Sequence, residues 1–227
     1  MMRRKFFIAG TDTDAGKTFV SCALLEKAKS LGLSCYGLKP VAAGCEDHGE
    51  GLRNDDALKL MESASIELSY TQVNPVALKP AIAPHVAAKQ IGITLNASRI
   101  VGFCQGALTV KADIALIEGA GGWRVPLNAR ETLAEVPRQL NLPVILVVGV
   151  KLGCINHALL SVEAIARDGL TLAGWVANHI DPEMSCSSDS VETLQAAISA
   201  PLLGRIPYIE GAEATSAASY LQLEEIL

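Results

Sequence analysis

The residues best suited to chemistry stand close to the amino terminus. Gly10-Thr11-Asp12-Thr13-Asp14-Ala15-Gly16-Lys17-Thr18 follows a short apolar run and opens a helical pattern. A strand–loop–helix of this kind cradles phosphate. Free backbone N–H groups face the anion, and the positive end of the helix dipole adds to them. The run is one residue longer than the common G-x-x-x-x-G-K-[ST] spacing. Lys17 would reach the β and γ phosphates, and the Thr18 hydroxyl would sit on magnesium. A glycine turn with a chance Gly-Lys-Thr is the competing reading, and the flanking strand and helix argue against it.

Further candidates lie along the chain, most of them directly after an apolar run. Lys39-Pro40-Val41 puts a lysine at a strand end ahead of a stiff turn, either aimed into a site or merely solvated. Gly51–Asp56 carries paired carboxylates. Asp56 could ligate magnesium, which prefers oxygen, or the pair could simply begin a helix, with Asp55 as its cap. The run Ile114–Ile117 ends in Glu118-Gly119-Ala120-Gly121-Gly122. An acid closing a buried strand suits the magnesium of a P-loop enzyme, and the glycines admit close approach to backbone; a glycine-rich turn with an exposed acid is the alternative. Val150-Lys151-Leu152-Gly153-Cys154-Ile155-Asn156-His157 starts a helix whose N–H groups could hold a carboxylate. His157 reads as a first-turn residue rather than a base. Asn178-His179 closes another strand, where an amide can read an adenine edge or make a turn.

The elements that must position these residues follow from hydrophobic periodicity. Strands are predicted at Phe6–Ala9, Ser34–Leu38, Ile114–Ile117, Val144–Val148, Leu172–Ala177 and from Leu202. Helices are predicted at Thr18–Ser30, Ser98–Lys111, Leu133–Leu140, Asn156–Arg167 and Ser190–Ile198, with a proline-containing loop over Asn74–Pro84. Repeated β-then-α units imply an α/β fold, P-loop NTPase-like, with a mostly parallel sheet flanked by helices. Ligands then bind at the carboxyl edge of the strands, so the site residues should sit just after strands. One domain over residues 1–227 is expected.

Composition narrows the function classes. The chain has 227 residues and a net charge of −5, half of them hydrophobic. No long basic run occurs; Arg3-Arg4-Lys5 reads as a solvated strand entrance. Nucleic acid and anionic membrane are therefore poor partners. The longest apolar stretch, Leu142–Val150, is too short to span a bilayer. A strand-like run starts almost at once at Phe6, so no signal peptide is expected. The six cysteines form no C-x-x-C pair and read as reduced thiols, as in a cytoplasmic protein. His48, His85 and His179 share no metal-like spacing.

Taken together, Gly10–Thr18, Lys39-Pro40-Val41, Gly51–Asp56, Asn74-Pro75, Pro84-His85, Glu118–Trp123, Val150–His157 and Trp175–Asn178 resemble dethiobiotin synthetase in its proteobacterial form. The resemblance implies a homodimer with a seven-stranded parallel sheet, acting in biotin synthesis on 7,8-diaminononanoate, carbon dioxide and ATP. It implies that Lys39, Lys17 and Thr13 serve catalysis. Nucleotide would meet Asp14, Ala15, Gly16, Lys17, Thr18, Phe19, Asp56, Glu118, Gly119, Ala120 and Gly121, with Asn178, His179 and the Pro207-Tyr208-Ile209 turn around adenine. The other substrate would meet Lys39, Ala43 and Gly121, and its carboxylate Leu152, Gly153, Cys154 and Asn156 of a partner subunit. Mg²⁺ would be held by Thr18, Asp56 and Glu118. Two departures from the family pattern are Ala43, where Ser or Thr is common, and Asp14-Ala15, where Glu-Val is usual. A P-loop switch ATPase of the partitioning type is the alternative. Such proteins carry a second lysine early in the loop, where this chain has polar or acidic residues. A non-catalytic ATP-binding regulator is a third reading, opposed by the retention of Lys17, Thr18, Lys39 and Glu118.

Overall fold

Strand β1 (Arg4–Gly10) enters the phosphate-loop sequence and then helix α1 (Lys17–Ser30). Next come β2 (Cys35–Leu38), β3 (Val41–Ala43), the short β4 (Glu46–Asp47) and β5 (Leu52–Arg53), then α2 (Asp55–Ser63), α3 (Tyr70–Val73), β6 (Val76–Leu78), α4 (Pro84–Gln90) and α5 (Ala97–Ala107). The second half runs β7 (Ile114–Glu118), α6 (Glu135–Leu140), β8 (Val144–Val150), α7 (Cys154–Arg167), β9 (Leu172–His179), α8 (Ser187–Ala197), β10 (Leu202–Ile206) and α9 (Ala214–Ala217). This computed structural model describes residues 4–47, 49, 51–211 and 213–227; Arg3 and His48 lie outside the described residues.

The main sheet has the order β10-β9-β8-β1-β7-β2, and each neighbouring pair is parallel. Its strands are buried on both faces, so they read as continuous apolar runs. The period-2 alternation survives inside them. In β8, Val144, Leu146, Val148 and Val150 join one core layer, whereas Ile145 and Val147 join the other. The first layer is closed by α5, α6, α7 and α8, the second mainly by α1 and the carboxyl-terminal segment.

Among the described residues the main sheet holds six strands, not the seven that the resemblance implied. After β2 the chain turns out at Lys39-Pro40. Pro40 has no N–H to offer a sheet neighbour, and β3 pairs instead with β6 in a separate parallel ladder. The expected loop over 74–84 therefore contains a strand, which Val76 favours. Helix α2 is capped by Asn54 rather than Asp55: the Asn54 side chain accepts from Ala57 N, so Asp55 and Asp56 occupy the first turn, where the helix dipole favours them. Helix α5 ends at Ala107, short of the expected Lys111.

The carboxyl-terminal segment is integral to the second layer. Ala217, Leu221 and Leu223 are buried there, and Gln222 N donates to Leu203 O at 2.7 Å.

Candidate active site

The strand ends gather the sequence candidates at one edge of the sheet. Gly16 begins α1 in the left-handed region at φ 85°, which favours glycine. A side chain there would also collide with the Asn178 amide. That amide donates to the Ala15 carbonyl at 3.0 Å, so the end of β9 braces the loop from behind. Gly149 admits Ala15 from the β8 side, where a Cβ would meet Ala15 Cα at 3.0 Å.

Three lysines surround the loop in different electrostatic states. Lys17 Nζ donates to Asp12 O at 3.0 Å. Burial, and then the nearby Lys39 charge, hold its pKa down to about 8. An anion in the cradle would return the proton's advantage. Lys39 Nζ lies 2.6 Å from Glu118 Oε1, 3.0 Å from Asp56 Oδ2 and 3.4 Å from Gly119 O. Burial works to lower its pKa, but the Glu118 and Asp56 charges outweigh that and raise it, so it stays an ammonium. Asp56 is pushed up by burial and down more strongly by Lys39, with a net lowering. Lys151 Nζ pairs with Asp12 Oδ2 at 3.1 Å, linking the end of β8 to the loop.

Glu118 is the most enclosed of these groups. Its Oε1 accepts from Thr18 Oγ1 at 2.7 Å as well as from Lys39. Its Oε2 is buried without a hydrogen-bond partner. A buried carboxylate oxygen left in that state is costly. Together with the Thr18 hydroxyl and Asp56 it forms an all-oxygen set suited to magnesium, which takes one or two carboxylates and fills its remaining positions with phosphate and water. The residues present therefore fit that ion.

Two cavities open from this edge. The larger, about 710 Å³, is lined by Thr13, Asp14, Gly16, Lys17, Thr18, Phe19, Lys39, Ala43, Asp56, Ala120 and Gly121. The smaller, about 280 Å³, is lined by Phe19, Asn178, His179, Ile180, Pro207, Tyr208 and Ile209. Every residue expected around adenine falls in the second. Ala15 and Gly119 stand behind these walls, Ala15 buried and Gly119 against the Phe7 ring. Leu152, Gly153, Cys154 and Asn156 line neither cavity. Leu152 is 89% exposed, whereas Cys154 is buried.

Sequence reasoning missed several wall residues. Ala81, Ile82, Ala83 and Pro84 form one side of the larger cavity, and Val125 and Pro126 another. The Pro84-His85 pair was the one available signal for the first group; the second follows directly on the glycine run. A third cavity of about 440 Å³ lies against Thr18 and Phe19 and includes Glu213, for which the sequence carried no signal.

A family model described as an AAA domain matches residues 4–216. The ATP-dependent dethiobiotin synthetase of Marinobacter nauticus is 55% identical over 214 residues, covering 94% of this chain and 92% of that protein. The chain belongs to the dethiobiotin synthetase family. A second family member, from Cellvibrio japonicus, is 54% identical over 227 residues, covering 100% of this chain and 99% of that protein. Among solved structures, the septum site-determining protein MinD of Pyrococcus horikoshii, complexed with Mg-ADP, aligns with a TM-score of 0.56 and 19% identity over 99% of this chain and 96% of that one. That likeness shows a shared P-loop fold and nothing of partner or activity, so the family, not the switch ATPases, frames the chemistry.

Proposed function

We infer that the chain is an ATP-dependent cyclo-ligase that builds dethiobiotin from 7,8-diaminononanoate, carbon dioxide and ATP in biotin biosynthesis, within one domain spanning residues 1–227. The observation that carries the reading is the arrangement of the 710 Å³ cavity. A phosphate cradle with Lys17 forms one wall, and an ammonium, Lys39, is pinned between two carboxylates on another.

The reaction must bring two anions together. One amine of the diamine adds to carbon dioxide and releases a proton to water, which leaves a carbamate. A carbamate oxygen then attacks the γ-phosphorus, the bond to the β,γ-bridging oxygen breaks, and ADP leaves. The second amine attacks the carbonyl carbon of the resulting carbamic-phosphoric anhydride, losing its proton as phosphate departs and the ureido ring closes. Fixed positive charge lowers the repulsion in the first of these meetings. Lys17 supplies it at the phosphates and Lys39 between carbamate and phosphate, with Thr13 beside both. Thr18, Asp56 and Glu118 would hold Mg²⁺, which when bound neutralises charge on the phosphoryl oxygens. Asn178 gives its amide N–H to the loop, which leaves its oxygen to accept from the adenine amine.

The Leu152–Asn156 helix start lines neither cavity of its own chain. A homodimer in which this segment completes the partner's site would give it the role that the resemblance implies. Leu152, in the turn before α7, and Leu160, on α7, are both exposed and support that contact. The six free cysteines, of which Cys186 is exposed, support a reducing compartment such as the cytoplasm. No helix among the described residues is long and apolar enough to cross a membrane.

ADP release is expected to depend on both the diamine and bicarbonate when each is omitted in turn from a coupled assay. Turnover that ignores the diamine would overturn the ligase reading in favour of a switch ATPase.

Ala43 lines the larger cavity where relatives of the family commonly place a hydroxyl. A hydroxyl brings no charge, and water in an open polar site replaces part of its hydrogen bonding. Ala43→Ser is therefore expected to change kcat/KM for the diamine by no more than about tenfold, the value of one ordinary hydrogen bond. A gain of several orders of magnitude would mean that the hydroxyl is essential and that the lysines alone do not carry the chemistry.

A further inference from the structure

Asn74-Pro75 belongs to the telling motifs, yet neither residue lines the reaction cavity. Asn74 is nonetheless 3% exposed and polar, so its amide must satisfy something inside. Its Nδ2 donates to the Lys39 carbonyl at 2.6 Å and to Val76 O at 3.4 Å. Its Oδ1 accepts from the Tyr70 hydroxyl at 2.9 Å. The same hydroxyl accepts from the backbone N–H of Asn54 at 2.8 Å, and Asn54 is the cap of the helix that carries Asp56.

We propose that Tyr70 is a positioning residue: its hydroxyl fixes the strand end bearing Lys39 against the helix bearing Asp56. The chain of bonds runs Asn54 N–H to Tyr70 O–H to Asn74 Oδ1, then from Asn74 Nδ2 to the Lys39 carbonyl. The Lys39 side chain returns to the start through Asp56, 3.0 Å away. The circuit therefore ties the Lys39 backbone to the start of α2 and sets the separation of the ammonium and the carboxylate from behind. Each end is also anchored. Asn54 Oδ1 accepts from Ala57 N at 3.3 Å, and Lys39 N donates to Val73 O at 2.9 Å. The Tyr70 ring is held by the Arg53 guanidinium, 4.2 Å from its centroid.

Without the hydroxyl, the Asn54 N–H and Asn74 Oδ1 both lose a partner in a region where each residue is nearly closed to water. Such groups move to regain one. The motion available is a shift of the α2 start relative to Lys39, and small shifts of charged groups weigh heavily on rate. The inference rests on the roles proposed above for Lys39 and Asp56.

Two substitutions in the full chain separate positioning from packing. Tyr70→Phe keeps the ring over Arg53 and removes only the hydroxyl; Tyr70→Leu removes both. With ATP, diamine, bicarbonate and Mg²⁺ saturating, and well below either melting temperature, kcat of Tyr70→Phe should fall about tenfold, short of the ~10²-fold that a full ångström of misplacement can cost. Its affinity for ADP without metal should stay within about twofold, because the phosphate loop is outside the bonded circuit, and ~1.4 kcal/mol would be needed for tenfold. Tyr70→Leu should show the same kcat with a lower Tm. A kcat for Tyr70→Phe within about twofold of the unaltered protein, or losses that follow Tm from Phe to Leu, would overturn the proposal. Lys39→Ala is assayed alongside. If it too turns over normally, the site reading fails and takes this inference with it; if it is impaired while Tyr70→Phe is not, only this inference falls.

Discussion

Lys39→Ala is expected to lower kcat by about 10²-fold or more, the usual consequence of removing a preorganised charge from a transition state in which charges must meet. The expectation follows from the state of the ammonium. Burial alone would lower its pKa, but Glu118 at 2.6 Å and Asp56 at 3.0 Å outweigh that and raise it. It is thus a fixed cation in a place where water cannot substitute for it, facing a cavity wide enough for the phosphates and a second substrate. A second consequence is structural. The Glu118 side chain is fully enclosed, and deleting its counter-charge leaves a buried carboxylate with only the Thr18 hydroxyl. Breaking a buried pair in this way costs about 3–5 kcal/mol. Urea unfolding without metal should register that loss, and added Mg²⁺ should recover part of it by restoring positive charge. The rate is therefore measured at a temperature where the variant is shown to be folded. Near-normal kcat would mean that the lysine is a structural clasp for two carboxylates and takes no part in the chemistry.

How much of this was legible in the sequence depends on how local each feature is. The phosphate loop was readable because strand, loop and helix are contiguous, and the structure starts α1 at Lys17. Strands β1, β7, β8 and β9 were readable because both faces are buried, which makes them dense apolar runs. What could not be read depends on partners distant in sequence. Lys151 and Asp12 meet across 139 positions, and no pattern near either announces the other. The β3–β6 ladder is three residues a side, too short for a period to emerge. The carboxyl-terminal segment folds onto α1 and β10 through single turns, again below the length at which helical periodicity is visible. The cap of α2 went to Asn54 because position relative to the first turn, not the stronger charge of Asp55, decides capping. The Tyr70 circuit was hidden for a similar reason: Tyr70 and Asn74 belong to one short helix and its cap, but the Lys39 strand end and the Asn54 cap that they join lie in two other segments.

Glu118→Gln is expected to lower kcat by about 10²-fold or more and to abolish the response of ADP binding to magnesium. The substitution nearly preserves volume and shape. The new side chain could still accept from Thr18 and Lys39 through its carbonyl oxygen, at the position where Glu118 Oε1 now lies 2.7 and 2.6 Å from its donors. What changes is Oε2, the buried oxygen that has no partner. An amide would put two N–H donors there in place of an acceptor, and donors repel a cation. Lys39 would keep Asp56 as a counter-charge, so the ammonium should persist and the loop geometry with it. ADP affinity measured by titration without metal should therefore match the unaltered protein, since the phosphate cradle is made of backbone N–H groups and Lys17. On adding Mg²⁺ the unaltered protein should tighten and Glu118→Gln should not. An equal gain in both would remove Glu118 from the metal site. The orphaned oxygen would then require another partner, and the all-oxygen set of Thr18, Asp56 and Glu118 would lose its most enclosed member. A loss of ADP binding even without metal would instead mean that the Glu118 charge shapes the loop itself, through Thr18, rather than holding an ion.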